Sequence, residues 1–131
     1  DYNKNFLKDR DLEEIGKRSK LSFLDTKKKY NSAWSRLFTF IKINEKEYLE
    51  NGWKYMCDNL IVTKAARGCS YKDKDYPIKH PSEVRDVSGA GDTFLAAFAY
   101  SYTLTKKIDS SIVFAQNCCQ TVIRKKGVAT V

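Results

Sequence analysis

The chain has little of what holds metals or cross-links together. Its 131 residues include one histidine, His80, and four cysteines, Cys57, Cys69, Cys118 and Cys119. No two cysteines form a CxxC pair and none is partnered by a histidine, which argues against zinc. Cys118 and Cys119 fall inside an apolar helical pattern and read as small core or near-core residues in a reducing compartment. No apolar run reaches the length of a membrane span, and the opening DYNKNFLKDRD has no signal-peptide anatomy. A soluble, cytoplasmic protein with no membrane partner is expected. A GxxxxGK[ST] phosphate loop is missing, as is anything like the HRD and DFG set of protein kinases. There is no internal repeat, and the KKK and RKK clusters are too short to be low complexity.

Positive charge is plentiful. Lysine and arginine number 24 against 16 aspartates and glutamates, leaving +8. That balance suits anionic partners such as nucleotides or sugar phosphates, and equally a lysine-rich, solvated surface. A nucleic-acid-binding module would interleave basic residues with exposed aromatics on one face. The tyrosines and phenylalanines here fall mostly in strand and helix core patterns, so no nucleic-acid partner is expected. Apolar residues make up 42% of the chain, enough for the modest core of a single domain.

Along the chain, residues 6–20 set Leu7, Leu12 and Ile15 among charges and predict an exposed amphipathic helix. LSFLD (21–25) and TFIKI (39–43) are short apolar runs ending at Asp25 and Asn44, as buried strands do when they emerge at the carboxyl edge of a sheet. EKEYLENGWKYMCDN carries a helical period, and LIVT (60–63) is a third strand leading into the loop KAARG. CSYKDKDYPIKH alternates like a hairpin with its turn near Lys72 to Asp75. Residues 91–102 are apolar nearly all round and predict a buried helix, and 110–125 a last helix. Strands alternating with helices at this spacing predict βαβ units in an α/β sheet. In such sheets ligands bind beyond the carboxyl ends of the strands, where Asp25, Asn44 and Thr63 would lie.

The stretch RDVSGAGDTF invites two readings. Glycines allow positive φ and close backbone approach, and the N–H groups opening the next helix favour an anion. Asp92 would stand beside that anion, where a carboxylate can take a proton from an attacking hydroxyl. The same residues also make an ordinary helix start with aspartate as its cap. Asn44 and Glu47 are similarly double, since N-x-x-E can close a capping box as well as face a ligand.

DVSGAGDTFLAAF resembles a signature of the ribokinase-like (PfkB) carbohydrate kinases, D-x-x-G-A-G-D-x-F before a small, apolar helix. Other marks follow in that family's order. FLDTKKK resembles its D-P-K segment, IKINEKEY its strand followed by N-x-x-E, and TKAARG its T-x-G-x-x-G loop with Ala65 in place of the first glycine. The opening DYNKN and closing RKKGVATV are similar to S-D-Y-x-K-G and G-K-x-G-T-x-T-V of the family's heptose 7-phosphate kinases.

The resemblance implies a ribokinase-like α/β fold, of which this chain is the C-terminal, nucleotide-binding part of a three-layer α/β/α sandwich. It implies ATP-dependent phosphorylation of a sugar or sugar-phosphate hydroxyl, with heptose 7-phosphate favoured. Asp92 would be the catalytic base, with Gly89, Ala90 and Gly91 as the backbone anion hole. Asn44 and Glu47 would act around Mg²⁺ and the ATP phosphates through water. Thr63, Lys64, Ala65, Ala66, Arg67 and Gly68 would form a nucleotide loop, and Gln116 would take the adenine-side position that is an asparagine in the family. Asp86 and Ser88 match positions that bind a monovalent cation such as K⁺, and Lys4 could meet a substrate phosphate. The family's N-terminal half, with its lid and most sugar-binding residues, has no counterpart here, so the fragment alone is expected to turn over little or no sugar. A homodimer of the full-length protein is compatible with the family.

Overall fold

The computed structural model describes residues 1–54, 58–81, 83, 87 and 89–125. The chain divides into two compact units, one made of Asp1–Ala65 and Cys69–Asp75, the other of Ala66–Gly68 and the chain from Tyr76 onward.

The first unit opens with helix α1 (Asp9–Arg18), acidic in its first turn and basic in its last, as the helix dipole favours. Its inward residues are Leu12 and Gly16. Strands β1 (Phe23–Asp25), β2 (Phe40–Asn44) and β3 (Leu60–Thr63) follow, each built on one of the apolar runs. They pair in parallel in that order, as strands joined by long crossovers do. Beyond β3 a single 3-10 turn, Ala65–Arg67, reverses the chain into β4 (Cys69–Tyr71), antiparallel to β3. β5 (Lys74–Tyr76) completes a five-stranded sheet of order β1-β2-β3-β4-β5. The hairpin turns at Lys72, whose φ is +53.

Side chains alternate across β2, so Ile41 and Ile43 enter the core while Phe40, Lys42 and Asn44 take the other face. On the core face two fully buried tryptophans, Trp34 and Trp53, lie with ring centroids 5.8 Å apart. Each buried indole has a partner: Trp34 Nε1 donates to Asp9 Oδ1 at 3.1 Å, and Trp53 Nε1 to the Lys28 carbonyl at 2.9 Å.

The helix expected from residue 45 onward is short. α2 spans Glu45–Glu50 and ends where Asn51 returns its N–H to the Glu47 carbonyl and Gly52 turns left-handed at φ +74. Trp53 is then free of the helical path and enters the core.

The second unit is dominated by α3 (Ala90–Thr105) and α4 (Ile108–Ile123), packed against each other and joined through Lys106, which caps α3 at φ +56. α4 starts two residues before the expected Ser110. α3 buries Phe94, Ala97 and Phe98 but leaves Tyr100 63% and Leu104 68% exposed. Its all-round apolar composition therefore does not make it a fully buried helix; only one stripe is covered. On the open side Tyr100 meets Phe114 of α4, ring centroids 6.2 Å apart. Among the described residues no helix is long and apolar enough to cross a membrane.

Candidate functional site

In the first unit the carboxyl ends of β1, β2 and β3 carry Asp25, Asn44 and Thr63, as the sequence predicts. Asp25 pairs in register with Lys42, and Asn44 with Thr63. Asn44 caps α2, its Oδ1 accepting from the Glu47 N–H at 2.9 Å while Glu47 Oε2 accepts from the Asn44 N–H at 2.8 Å. The capping-box reading is thus realised. It occupies one carboxylate oxygen of Glu47, so a water or cation at the other oxygen remains compatible with it.

Thr63 Oγ1 donates to the Ile43 carbonyl at 3.3 Å, tying β3 to β2 and keeping its lone pairs as acceptors. Lys64 Nζ lies 2.9 Å from Asp75 Oδ1, so this ammonium is neutralised by the hairpin. Ala65 stands at φ +51, in the left-handed region that favours glycine. The glycine of the T-x-G-x-x-G pattern thus answers a backbone demand that persists here with alanine in its place.

One residue of this edge escaped the sequence reading. Lys42 is only 6% exposed, and its Nζ is 2.8 Å from Asp25 Oδ2. A lysine inside an apolar strand, beside a strand ending in aspartate, was the available signal. A buried cation of this kind needs its partner.

In the second unit Gly68 takes φ +94, and a Cβ there would fall 2.0 Å from the Tyr76 carbonyl oxygen, so only glycine fits. Gln116, 8% exposed, donates from Nε2 to that same carbonyl at 2.7 Å. The expected adenine-side residue is therefore engaged with backbone, while Asn117 beside it is exposed.

Gly89, at φ +76, is the N-cap of α3, which places Ala90, Gly91 and Asp92 in the first turn. Asp92 is thus not the helix cap: it follows the cap by three residues and is exposed. The expected anion hole is narrower than the motif suggests, because the Ala90 N–H donates to the Val87 carbonyl at 3.1 Å. Gly91 stands at the second helical position, in the first turn, whose N–H groups point out of the helix toward an incoming anion. On α4, the Cys119 thiol donates to the Ala90 carbonyl at 3.2 Å, and partial burial raises the Cys118 thiol above its ordinary value. Both are half-buried, in keeping with near-core positions, and Cys69 is buried.

Asp86 and Ser88, the expected monovalent-cation positions, lie outside the described residues, as do Cys57 and residues 126–131 of the closing motif. Lys4 is exposed. Among the described residues no three His, Cys, Asp or Glu side chains gather as a metal cage. Mg²⁺ that arrives with a nucleotide keeps several waters and takes one or two carboxylates, so its binding does not require a cage of that kind.

The first unit holds a mixed sheet with polar residues at its strand ends, and the second a glycine turn opening a helix, which together define an α/β protein. Comparison with known proteins makes it specific. The pattern of the pfkB family carbohydrate kinases matches residues 44–131, and the chain belongs to that family. It is 31% identical over 150 residues to the bifunctional protein HldE of a Nitratiruptor species, an alignment covering 99% of this chain and 32% of that one. Its fold is ribokinase-like. Ribokinase of Thermotoga maritima superposes with a TM-score of 0.75 at 18% identity, covering 92% of this chain and 50% of that one. Arabidopsis thaliana ribokinase complexed with ribose and ATP gives 0.74 at 18%, covering 91% and 46%. The chain thus spans about a third of the bifunctional relative and about half of each ribokinase.

Proposed function

We propose that this chain is the nucleotide-binding portion of an ATP-dependent kinase acting on a sugar or sugar phosphate, with heptose 7-phosphate converted to heptose 1,7-bisphosphate as the favoured reaction. The observation that carries the reading is the left-handed cap at Gly89, which sets Gly91 and Asp92 in the first turn of a sixteen-residue helix. A phosphoryl group at that turn would meet a backbone N–H and the positive end of the helix dipole. Asp92 beside it would take the proton of the attacking hydroxyl.

Asn44 and Glu47 would approach Mg²⁺ through water, and Thr63 and Gly68 would approach the nucleotide. ATP use is supported by the ATP-bound ribokinase among the structural relatives. The heptose preference rests on the two ends of the sequence and on the bifunctional HldE relative.

A second reading is favoured by the share of the relatives that the chain spans. Tested by itself, this stretch would bind nucleotide without phosphorylating a sugar, because phosphoryl transfer needs both reactants positioned. Calorimetric titration of MgATP and MgADP into the chain and its Asp92→Asn and Gly91→Val variants tests the site. The reading expects binding by the parent and the Asn variant, and loss in the Val variant. A folded parent that binds neither nucleotide rejects it. Turnover assays with heptose 7-phosphate and other sugars then separate kinase from binding remnant.

A further inference from the structure

We propose that Gln116 is a positioning residue for the Ala66–Gly68 segment, acting through the Tyr76 carbonyl and not by contact with a nucleotide base. The proposal rests on the reading above that this segment belongs to a nucleotide loop.

Tyr76 is held to α4 at two points. Its carbonyl accepts from Gln116 Nε2 at 2.7 Å, and its phenol donates to Asp109 Oδ1 at 2.5 Å, in the first turn of the same helix. Asp109 and Gln116 lie seven residues apart, two turns along one helix face. Both Tyr76 and Gln116 are more than nine-tenths buried.

Gly68 then lies directly on this fixed point. A Cβ on it would meet the Tyr76 oxygen at 2.0 Å and Pro77 Cα at 3.0 Å, so the two backbones touch with no side chain between them. The chain of contact runs from α4 to Tyr76 and from Tyr76 to Gly68. A buried carbonyl that loses its donor must find another or shift, and a shift of Tyr76 moves the surface on which Gly68 rests. The amide of Gln116 thereby sets where the segment sits.

The test uses Gln116→Met, which keeps length and bulk without an amide, and Gln116→Asn, whose amide stops one methylene short. Either variant serves if the other fails to fold. Backbone amide exchange at Ala66–Gly68 should accelerate about tenfold, the equivalent of one lost buried hydrogen bond, while exchange in the middle of α3 stays unchanged. Unaltered exchange at Ala66–Gly68 in a folded variant overturns the proposal.

Titration with MgADP and MgGDP supplies a readout that simple loss of stability would not move. A positioning role weakens both nucleotides by the same factor and preserves their ratio. A loss confined to MgADP would mean that Gln116 reads the base, and overturns the proposal. If the parent binds neither nucleotide while the variants still loosen Ala66–Gly68, the nucleotide reading fails and Gln116 stands as the anchor of that segment.

Discussion

Asn44 and Glu47 answer each other across one turn, at 2.9 Å from backbone to Asn44 Oδ1 and 2.8 Å from backbone to Glu47 Oε2. The two can be separated by substitution. Asn44→Ala removes the cap and should cost about 1 kcal/mol, read as a lower urea midpoint with an unchanged slope. Glu47→Gln keeps an acceptor for the Asn44 N–H, so stability should move by less than about 0.5 kcal/mol. If Glu47 also serves Mg²⁺, the same variant should reduce the gain in nucleotide affinity that Mg²⁺ provides; an unchanged gain would leave Glu47 as a cap alone.

Ala65 holds φ +51, where an L-residue with a Cβ is strained. Ala65→Gly should relieve that strain and, after the larger chain entropy glycine gives the unfolded state, stabilise the chain by about 0.5–1 kcal/mol. Thermal unfolding checks the sign, and a lower midpoint would show that the surrounding turn prefers alanine.

Gly68 lies at the opposite extreme. Gly68→Ala combines a left-handed backbone with a Cβ 2.0 Å from the Tyr76 oxygen. A loss of about 3 kcal/mol is expected from strain and overpacking together. Equilibrium unfolding of the two alanine/glycine exchanges should therefore give opposite signs within four residues of chain.

Partial burial raises the Cys118 thiol above its ordinary value. At a pH where a free thiol is about half ionised, near 8.5, Cys118 holds less thiolate and should react with iodoacetamide more slowly than free cysteine. The folded state keeps a proton that the unfolded state has begun to lose, so this group's contribution to stability falls as pH rises above the ordinary thiol value. Peptide mapping after timed alkylation, with Cys118→Ser as control, reads the rate; alkylation as fast as free cysteine would contradict the burial.

Much of the scaffold was legible because its signals are local. LSFLD, TFIKI and LIVT announce strands by short apolar runs closed with a polar residue, and the structure places β1, β2 and β3 on them. Family membership was readable from GAGD and its companions in order. The length of α2 was not, because the helical period continues through Tyr48 and Leu49 while Gly52 and the burial of Trp53 decide where the helix stops. Composition also misjudged α3, since which side of an apolar helix is covered depends on elements distant in sequence. Gln116 and Tyr76 are 40 positions apart, and nothing near either residue announces their bond. The same holds for Lys42 and Asp25, which become neighbours only through strand register.

Both tryptophans of the chain, Trp34 and Trp53, lie buried in the first unit. Emission excited at the red edge of aromatic absorption therefore comes from that unit alone, leaving α3 and α4 optically dark. Those two helices dominate the far-ultraviolet dichroism instead. The molecule thus carries a separate spectroscopic channel for each half, and a denaturation curve followed in both would reveal whether the halves melt as one.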